Sequence, residues 1–488
     1  RRVLGKWSLT SLGVGAIIGA GIFVMTGVGA KEYAGPALAL SFVIAGIGCT
    51  FAALCYAEFA SFLPVEGSAY AYAYSTLGEF LAWVIGWDLI LEYAMSSSAV
   101  AVGWSGYTYK FLNLFGIKLQ LWMSFDSYTV NELLRQAAED PVKLAELNMH
   151  FSSLDIPTVF GFPITFNLPA FLIVWVVTSI LIKGIKEAAS TNNLMVALKV
   201  AIVLFIIILG FHYINIDNWS PFIPAAEMIK GPLGTHSAYG LMGILSGAAY
   251  IFFAYIGFDT VSTHAGESIN PQKDIPFGII TSLIVCTVLY ILVALVLTGM
   301  VNFRDIDITA PISSAFIKNG LKFAVFIISI AAVAGLTSVL IVMLLGQSRV
   351  FYAMSKDGLL PKDIFGRLHH KFKTPYRANL LTGLVVSLVS ALTPISVIAE
   401  LVNIGTLLAF VIVCISVWIM RFKEPERHRP FKTPYIHIIA PLGIVFNLTL
   451  MISLGIHNWE RLMLWLALGC GIYFLYSKKN SLLQKSQK

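Results

Sequence analysis

Residues 12–23 read LGVGAIIGAGIF, with glycine at 13, 15, 19 and 21. They lie inside a hydrophobic run from Trp7 to Ala30. A run of that length spans a bilayer as a helix. Each interior glycine weakens a helix by ~1 kcal/mol against alanine, so this span is soft at its centre. Unpaired backbone at membrane depth is tolerated only where protein buries it or it lines a cavity. The stretch is therefore either a close-packing surface of small residues or a helix broken around a ligand.

The remainder of the chain agrees with a membrane setting. Of 488 residues, 57% are hydrophobic and 12% charged, and the mean hydropathy is +0.80. Soluble domains carry about 25% charged residues. Apolar runs recur along the whole chain and indicate an all-α polytopic membrane protein. Twelve spans are predicted, at about 7–30, 36–62, 79–113, 167–184, 190–214, 239–262, 277–301, 321–352, 379–393, 396–420, 434–454 and 458–476. The first run is too long for a cleavable signal and more spans follow it. The cysteines at 49, 55, 286, 414 and 470 all lie in apolar segments. They read as small hydrophobes, forming neither a metal site nor a disulfide framework.

With the N-terminus inside, the cytoplasmic loops and tails hold 21 Lys and Arg and the opposite side seven. This bias places both termini in the cytoplasm. It also accounts for the net charge of +7 without a nucleic-acid partner. The longest polar stretch, 114–166, falls outside, and NELLRQAAEDPVKLAELN within it predicts short amphipathic helices over the outer face.

The sixth span, LMGILSGAAYIFFAYIGFDTVS, is interrupted at Gly243, Gly247 and Gly257 and carries Asp259. Two interrupted spans five apart point to an inverted-repeat transporter with its site at the breaks. Residues 1–215 form the first five-span unit, with the outer loop 114–166. Residues 216–421 form a second, inverted unit, and 422–488 hold the last two spans and the tail. A broken helix exposes N–H groups at the start of its second half and carbonyls at the end of its first. Gly19, Ala20 and Gly21 offer N–H groups to a carboxylate. The carbonyls of Ile17 and Ile18, with those of Phe252, Phe253, Ala254 and Ile256, suit an ammonium. Together they match an amino acid zwitterion.

At this point the residues resemble a known group. GVGAIIGAGIF (13–23), AGPALALSF (34–42), LCYAEFASFLPVEGSAYAYAYSTLGEFLAWVIGWDLILEY (54–93), FFAYIGFDTVSTHAGESINPQKDIP (252–276) and RVFYAMSKDGLLP (349–361) are similar to the amino acid–polyamine–organocation superfamily. The likeness is greatest to its cationic amino acid transporter subfamily, in a bacterial form. The resemblance implies a leucine-transporter-like 5+5 repeat with spans 1 and 6 broken, and alternating access. Walls of the site would come from spans 3 and 8, and Phe253 would be the gate over bound substrate.

Four positions depart from the animal members. Lys199 replaces an uncharged polar residue on span 5, as in proton-coupled bacterial relatives. It lies about nine residues into its span, ~13–14 Å deep at ~1.5 Å per residue. Burial penalises the charged form of an amine, so Lys199 is the candidate for proton coupling, and snorkelling to the surface is the alternative. Asp88 and Glu92 share one face of span 3 at i and i+4. Glu92 is the candidate for contact with substrate or a proton, with structural pairing as the alternative, and Asp259 organises span 6. Met343 replaces a small residue on span 8 and would shorten the side-chain pocket, with plain core packing as the alternative.

The expected function is proton-coupled uptake of L-amino acids, broad or small and neutral such as alanine, across the plasma membrane. Uniport or exchange of arginine and lysine is the alternative, and a sensor or channel is remoter. No nucleophile–base or metal set marks an enzyme. The expectation is no cofactor beyond the coupling proton. With no cysteine in 114–166, a disulfide-linked heavy chain is not expected, and the question of a small accessory membrane subunit stays open.

Overall fold

The computed structural model describes residues 4–62, 70, 73–74, 77–184, 189–231, 234–259, 261 and 268–482. Parts of the motifs at 54–93 and 252–276 lie outside them. The chain is built from long helices. These are α1 (Lys6–Ile17), α2 (Leu38–Phe62), α3 (Glu79–Leu114), α4 (Leu168–Lys183), α5 (Ala189–Phe211), α6 (Gly240–Ile251), α7 (Pro271–Met300), α8 (Lys322–Lys356), α9 (Tyr376–Leu392), α10 (Ile395–Lys423), α11 (Ile436–Ser453) and α12 (Ile456–Ile472). Six helical stretches among the described residues are long and apolar enough to cross a membrane. The helix ends follow local chemistry. Pro271 occupies the first turn of α7, where its missing N–H costs nothing, so α7 starts several residues before the apolar run predicted.

Two groups of helices pack around the centre. One contains α1, α2, α6 and α7, with α7 lying against both α1 and α2. The other contains α3, α4, α8 and α9, with α3 lying along α8 and α4 along α9. α5 bridges α1, α7 and α8, while α10 joins α3 to α11. These contacts bury one continuous apolar core running through all the helices.

Residues 114–166 form a cover outside the long helices. Ser127–Glu139 is a helix capped by Asp126, whose Oδ1 accepts the Thr129 N–H at 3.0 Å, and Pro141–His150 is a second. They carry a small core of their own around Leu121, Phe125, Val130 and Phe151. The sequence reading did not include two hairpins, Thr158–Val159 with Phe162–Pro163 and Glu227–Gly231 with Gly234–Ala238.

Candidate functional site

The first span is cut where the glycines bracket two isoleucines. α1 ends at Ile17, and Ile18 turns extended, with φ −71° and ψ 101°. The chain resumes as a π-helix over Gly21–Met25; such wide turns are frequent at functional sites. The sixth span is cut at a matching place. α6 tightens to a 3-10 turn over Phe252–Tyr255, and Ile256 is extended. Gly257 then adopts φ +121°, a conformation that side chains on an L-residue disfavour.

The two breaks touch. A Cβ at Gly21 would overlap the backbone of Ala254, and one at Gly257 would come within 2.8 Å of the Ala16 carbonyl. Only glycine permits so close a crossing. Gly13 and Gly15 have another role: they lie within intact α1 and face Ser282 and Val196.

Breaking the helix frees backbone groups that burial makes costly unless they find partners. The Gly15 carbonyl accepts the Lys199 Nζ amine at 2.8 Å. The Ile17 carbonyl accepts the Tyr290 hydroxyl of α7 at 2.8 Å, leaving one lone pair. Tyr290 was absent from the sequence reading; a buried tyrosine hydroxyl signals that a partner exists, but its identity comes from the fold. Beyond the break, the Tyr107 hydroxyl of α3 reaches the Phe23 carbonyl at 2.6 Å. By contrast, the N–H groups of Gly19, Ala20 and Gly21 find no acceptor among the described residues, and all three residues are buried.

Lys199 is only 2% exposed, and the Gly15 carbonyl is its one hydrogen-bond partner among the described residues. Its amine points to the break, away from the membrane surface. The stem runs across Gly335 of α8, where a Cβ would lie 3.4 Å from the lysine Cγ. One turn further along α8, Val339 packs on Gly19. Met343 follows at the next turn, buried on the same face. Thus Gly335, Val339 and Met343 form one stripe beside the first break.

Glu92 is buried beside Thr406 of α10, whose hydroxyl donates to the Val402 carbonyl at 3.0 Å, with Asp259 and Asp88 as charged neighbours. Asp88 is 1% exposed and faces Gly405, and neither carboxylate oxygen has a hydrogen-bond partner among the described residues. Phe253 is buried beside the second break, whereas its neighbour Phe252 packs on Phe410 with ring centres 5.5 Å apart. With Ile17, Ile18, Ala20, Ala254 and Ile256 also buried, the break region is sealed from solvent in this conformation.

A cavity of about 460 Å³, lined by charged and aromatic residues, lies between the two short helices and the loop after α7. Several of its basic groups have partners within the protein, whereas the buried Glu32 Oε2 has none among the described residues. Lys110 and Asp307 pair at 2.9 Å, Arg304 and Glu227 at 2.6 Å, and Lys31 Nζ donates to the Ile306 carbonyl at 2.9 Å. Burial alone would favour the neutral acid at Asp307. The adjacent Lys110 and Thr309 nevertheless hold its carboxyl well below the usual carboxylate range. A small space of about 20 Å³ continues inward beside Val24, Val102 and Gly106. There Gly106 faces the Thr309 carbonyl so closely that any Cβ would clash with it.

A family model described as amino acid permease matches residues 4–473. The chain is 45% identical over 486 residues to the branched-chain amino acid permease BcaP of Bacillus subtilis (strain 168), covering 99% of this chain and 95% of that protein. It is 42% identical over 489 residues to the methylthioribose transporter of the same organism, with the same coverage. Identity to the vacuolar cationic amino acid transporter 2 of Arabidopsis thaliana is 39% over 425 residues, which are 87% of this chain and 60% of that protein.

Proposed function

Since the chain belongs to the amino acid permease family, we propose a specific mechanism for its amino acid transport: proton-coupled uptake of neutral L-amino acids by alternating access. The observation that carries this reading is the set of buried N–H groups at Gly19, Ala20 and Gly21 without an acceptor among the described residues. Such a nest suits the α-carboxylate common to all amino acids. The Ile17 and Ile18 carbonyls, with those of the second break, take the ammonium. Phe253 closes over the substrate. Met343 limits the side chain, and the likeness to a branched-chain permease supports a neutral aliphatic one.

Lys199 supplies the coupling. A buried ammonium without a counter-ion is costly. A carboxylate held at Gly19–Gly21 lies about one turn from Gly15, hence ~8 Å from the amine. Each charge therefore stabilises the other, and by reciprocity substrate favours the proton as the proton favours substrate. No cofactor is required besides the proton.

All twelve helices cross the plasma membrane in this reading, with both termini cytoplasmic. Residues 1–215 and 216–421 are the inverted repeats, and 422–488 stand outside them. Packing of α2 with α7, α3 with α8 and α4 with α9, each pair five apart, supports the repeat.

Proteoliposomes test the proposal. Labelled leucine should accumulate under an inward proton gradient and stop doing so with a protonophore. Unlabelled valine and alanine should compete better than arginine or methylthioribose. A second reading, exchange of cationic amino acids, is favoured by the 39% identity to a cationic transporter. Uptake of arginine that requires internal arginine and ignores the proton gradient would establish it instead.

A further inference from the structure

The segment 156–166, IPTVFGFPITF, contains no charged residue although it lies outside the helices. It forms a two-residue hairpin in which Val159 pairs with Phe162. Its turn residues, Phe160 and Gly161, have φ +53° and +81°. Both positive values are what a tight hairpin turn demands, and asparagine or aspartate with glycine normally fills it. A phenylalanine in that conformation is disfavoured by about 1–2 kcal/mol. It is also 96% exposed, and Phe162 is 73% exposed. A strained apolar tip is unfavourable on a surface facing water.

The base of the hairpin is fixed. Phe166 N–H donates to the Trp122 carbonyl at 2.8 Å and Asn167 N–H to the Ala391 carbonyl at 2.9 Å. Asn167 Oδ1 also accepts the Ala170 N–H and so caps α4. From this base an aromatic column runs down α4: Phe166 meets Phe171 at 5.3 Å, and Phe171 meets Trp175 at 6.3 Å. Beside it Leu172, Val176 and Ile180, four residues apart, form an exposed apolar stripe on α4. The hairpin leads into α4 at the end where that stripe begins.

Length completes the argument. α4 has 16 residues, or ~24 Å at ~1.5 Å per residue. The hydrocarbon core of a bilayer is ~30 Å thick. The helix falls ~6 Å short, and the hairpin adds apolar surface at its N-terminal end. Interfacial aromatics anchor membrane segments at that depth.

We propose that the hairpin tip, Phe160 with Phe162, inserts into the acyl boundary of the outer leaflet and anchors α4 there. The partner is lipid. The test uses the full chain in phosphatidylethanolamine–phosphatidylglycerol vesicles. A nitroxide is attached at Phe160→Cys or Phe162→Cys with Cys470→Ser in the background, because Cys470 is the half-buried native thiol. Oxygen should reach both labels several-fold more readily than a water-soluble nickel complex. The control Asn148→Cys, on the exposed Pro141–His150 helix, should show the reverse order. Nickel access at Phe160 equal to that at Asn148 overturns the proposal. So does dipolar broadening that disappears when labelled protein is diluted with unlabelled protein, which would put a second copy over the hairpin.

Discussion

Replacing Lys199 by methionine separates coupling from folding. Methionine keeps most of the stem that lies across Gly335 and removes only the charge and the bond to the Gly15 carbonyl. Losing that bond strands a buried acceptor, at a cost of about 1–3 kcal/mol. The same change removes a buried ammonium that has no ion partner among the described residues, a gain of similar size. The two nearly offset each other, so thermal stability without substrate should stay close to native. Substrate binding should not. At ~8 Å and an effective dielectric of ~20, the amine and a bound carboxylate attract by about 2 kcal/mol. That is about 30-fold in affinity at 1.4 kcal/mol per decade. The assay is leucine binding by thermal shift or calorimetry across pH. Native protein should bind more weakly as pH rises through the titration of the amine. Lys199→Met should bind about 30-fold more weakly at the acidic end and show a flat profile. A variant that binds as tightly as the native protein at acidic pH, or keeps its pH dependence, refutes the charge coupling.

Gly21→Ala should abolish uptake while the protein still reaches the membrane, because the new Cβ meets the Ala254 backbone; native uptake would mean that the two breaks do not need to touch. Met343→Ala should let longer side chains such as phenylalanine and arginine compete better with leucine, and an unchanged competition order would take Met343 out of the pocket. Asp307→Asn, which leaves Lys110 buried without its partner, should lower stability at neutral pH by about 3 kcal/mol. The Asp307 carboxyl is held below its ordinary value of ~3.9, so its contribution is complete above pH ~4 and drains away as pH falls further. The stability gap between native and variant, followed by denaturation at several pH values, should therefore narrow in acid; a constant gap would mean that the pair adds nothing.

Much of this was legible in the sequence because it is local. Helix existence follows from apolar runs, and most helix ends lie within a few residues of the spans expected. The interruptions at Gly19, Gly21 and Gly257 were visible as glycine clusters at matching places. What the sequence does not carry is the sorting of those glycines. Gly13 and Gly15 have the same signature as Gly19 and Gly21, yet they sit in an unbroken helix. The depth of Lys199 was readable from its position in the span, whereas its target at Gly15, 184 residues away, comes from tertiary packing. Tyr290 illustrates the same limit: it lies 273 residues from Ile17, and nothing in its local pattern distinguishes it from other aromatic residues in the core. The hairpin Glu227–Ala238 escaped detection because EMIKG and GTHSA lack a clean alternation of apolar and polar residues.

The central claim is that the buried N–H groups of Gly19, Ala20 and Gly21 hold the substrate α-carboxylate. Thermal stabilisation of the purified protein by leucine and by leucinol, which lacks only the carboxylate, tests it most directly. Leucine should raise the melting temperature in a saturable way, and leucinol at the same concentrations should leave it unchanged. Equal stabilisation by both would show that the carboxylate is not recognised and that the break in the first span serves another purpose.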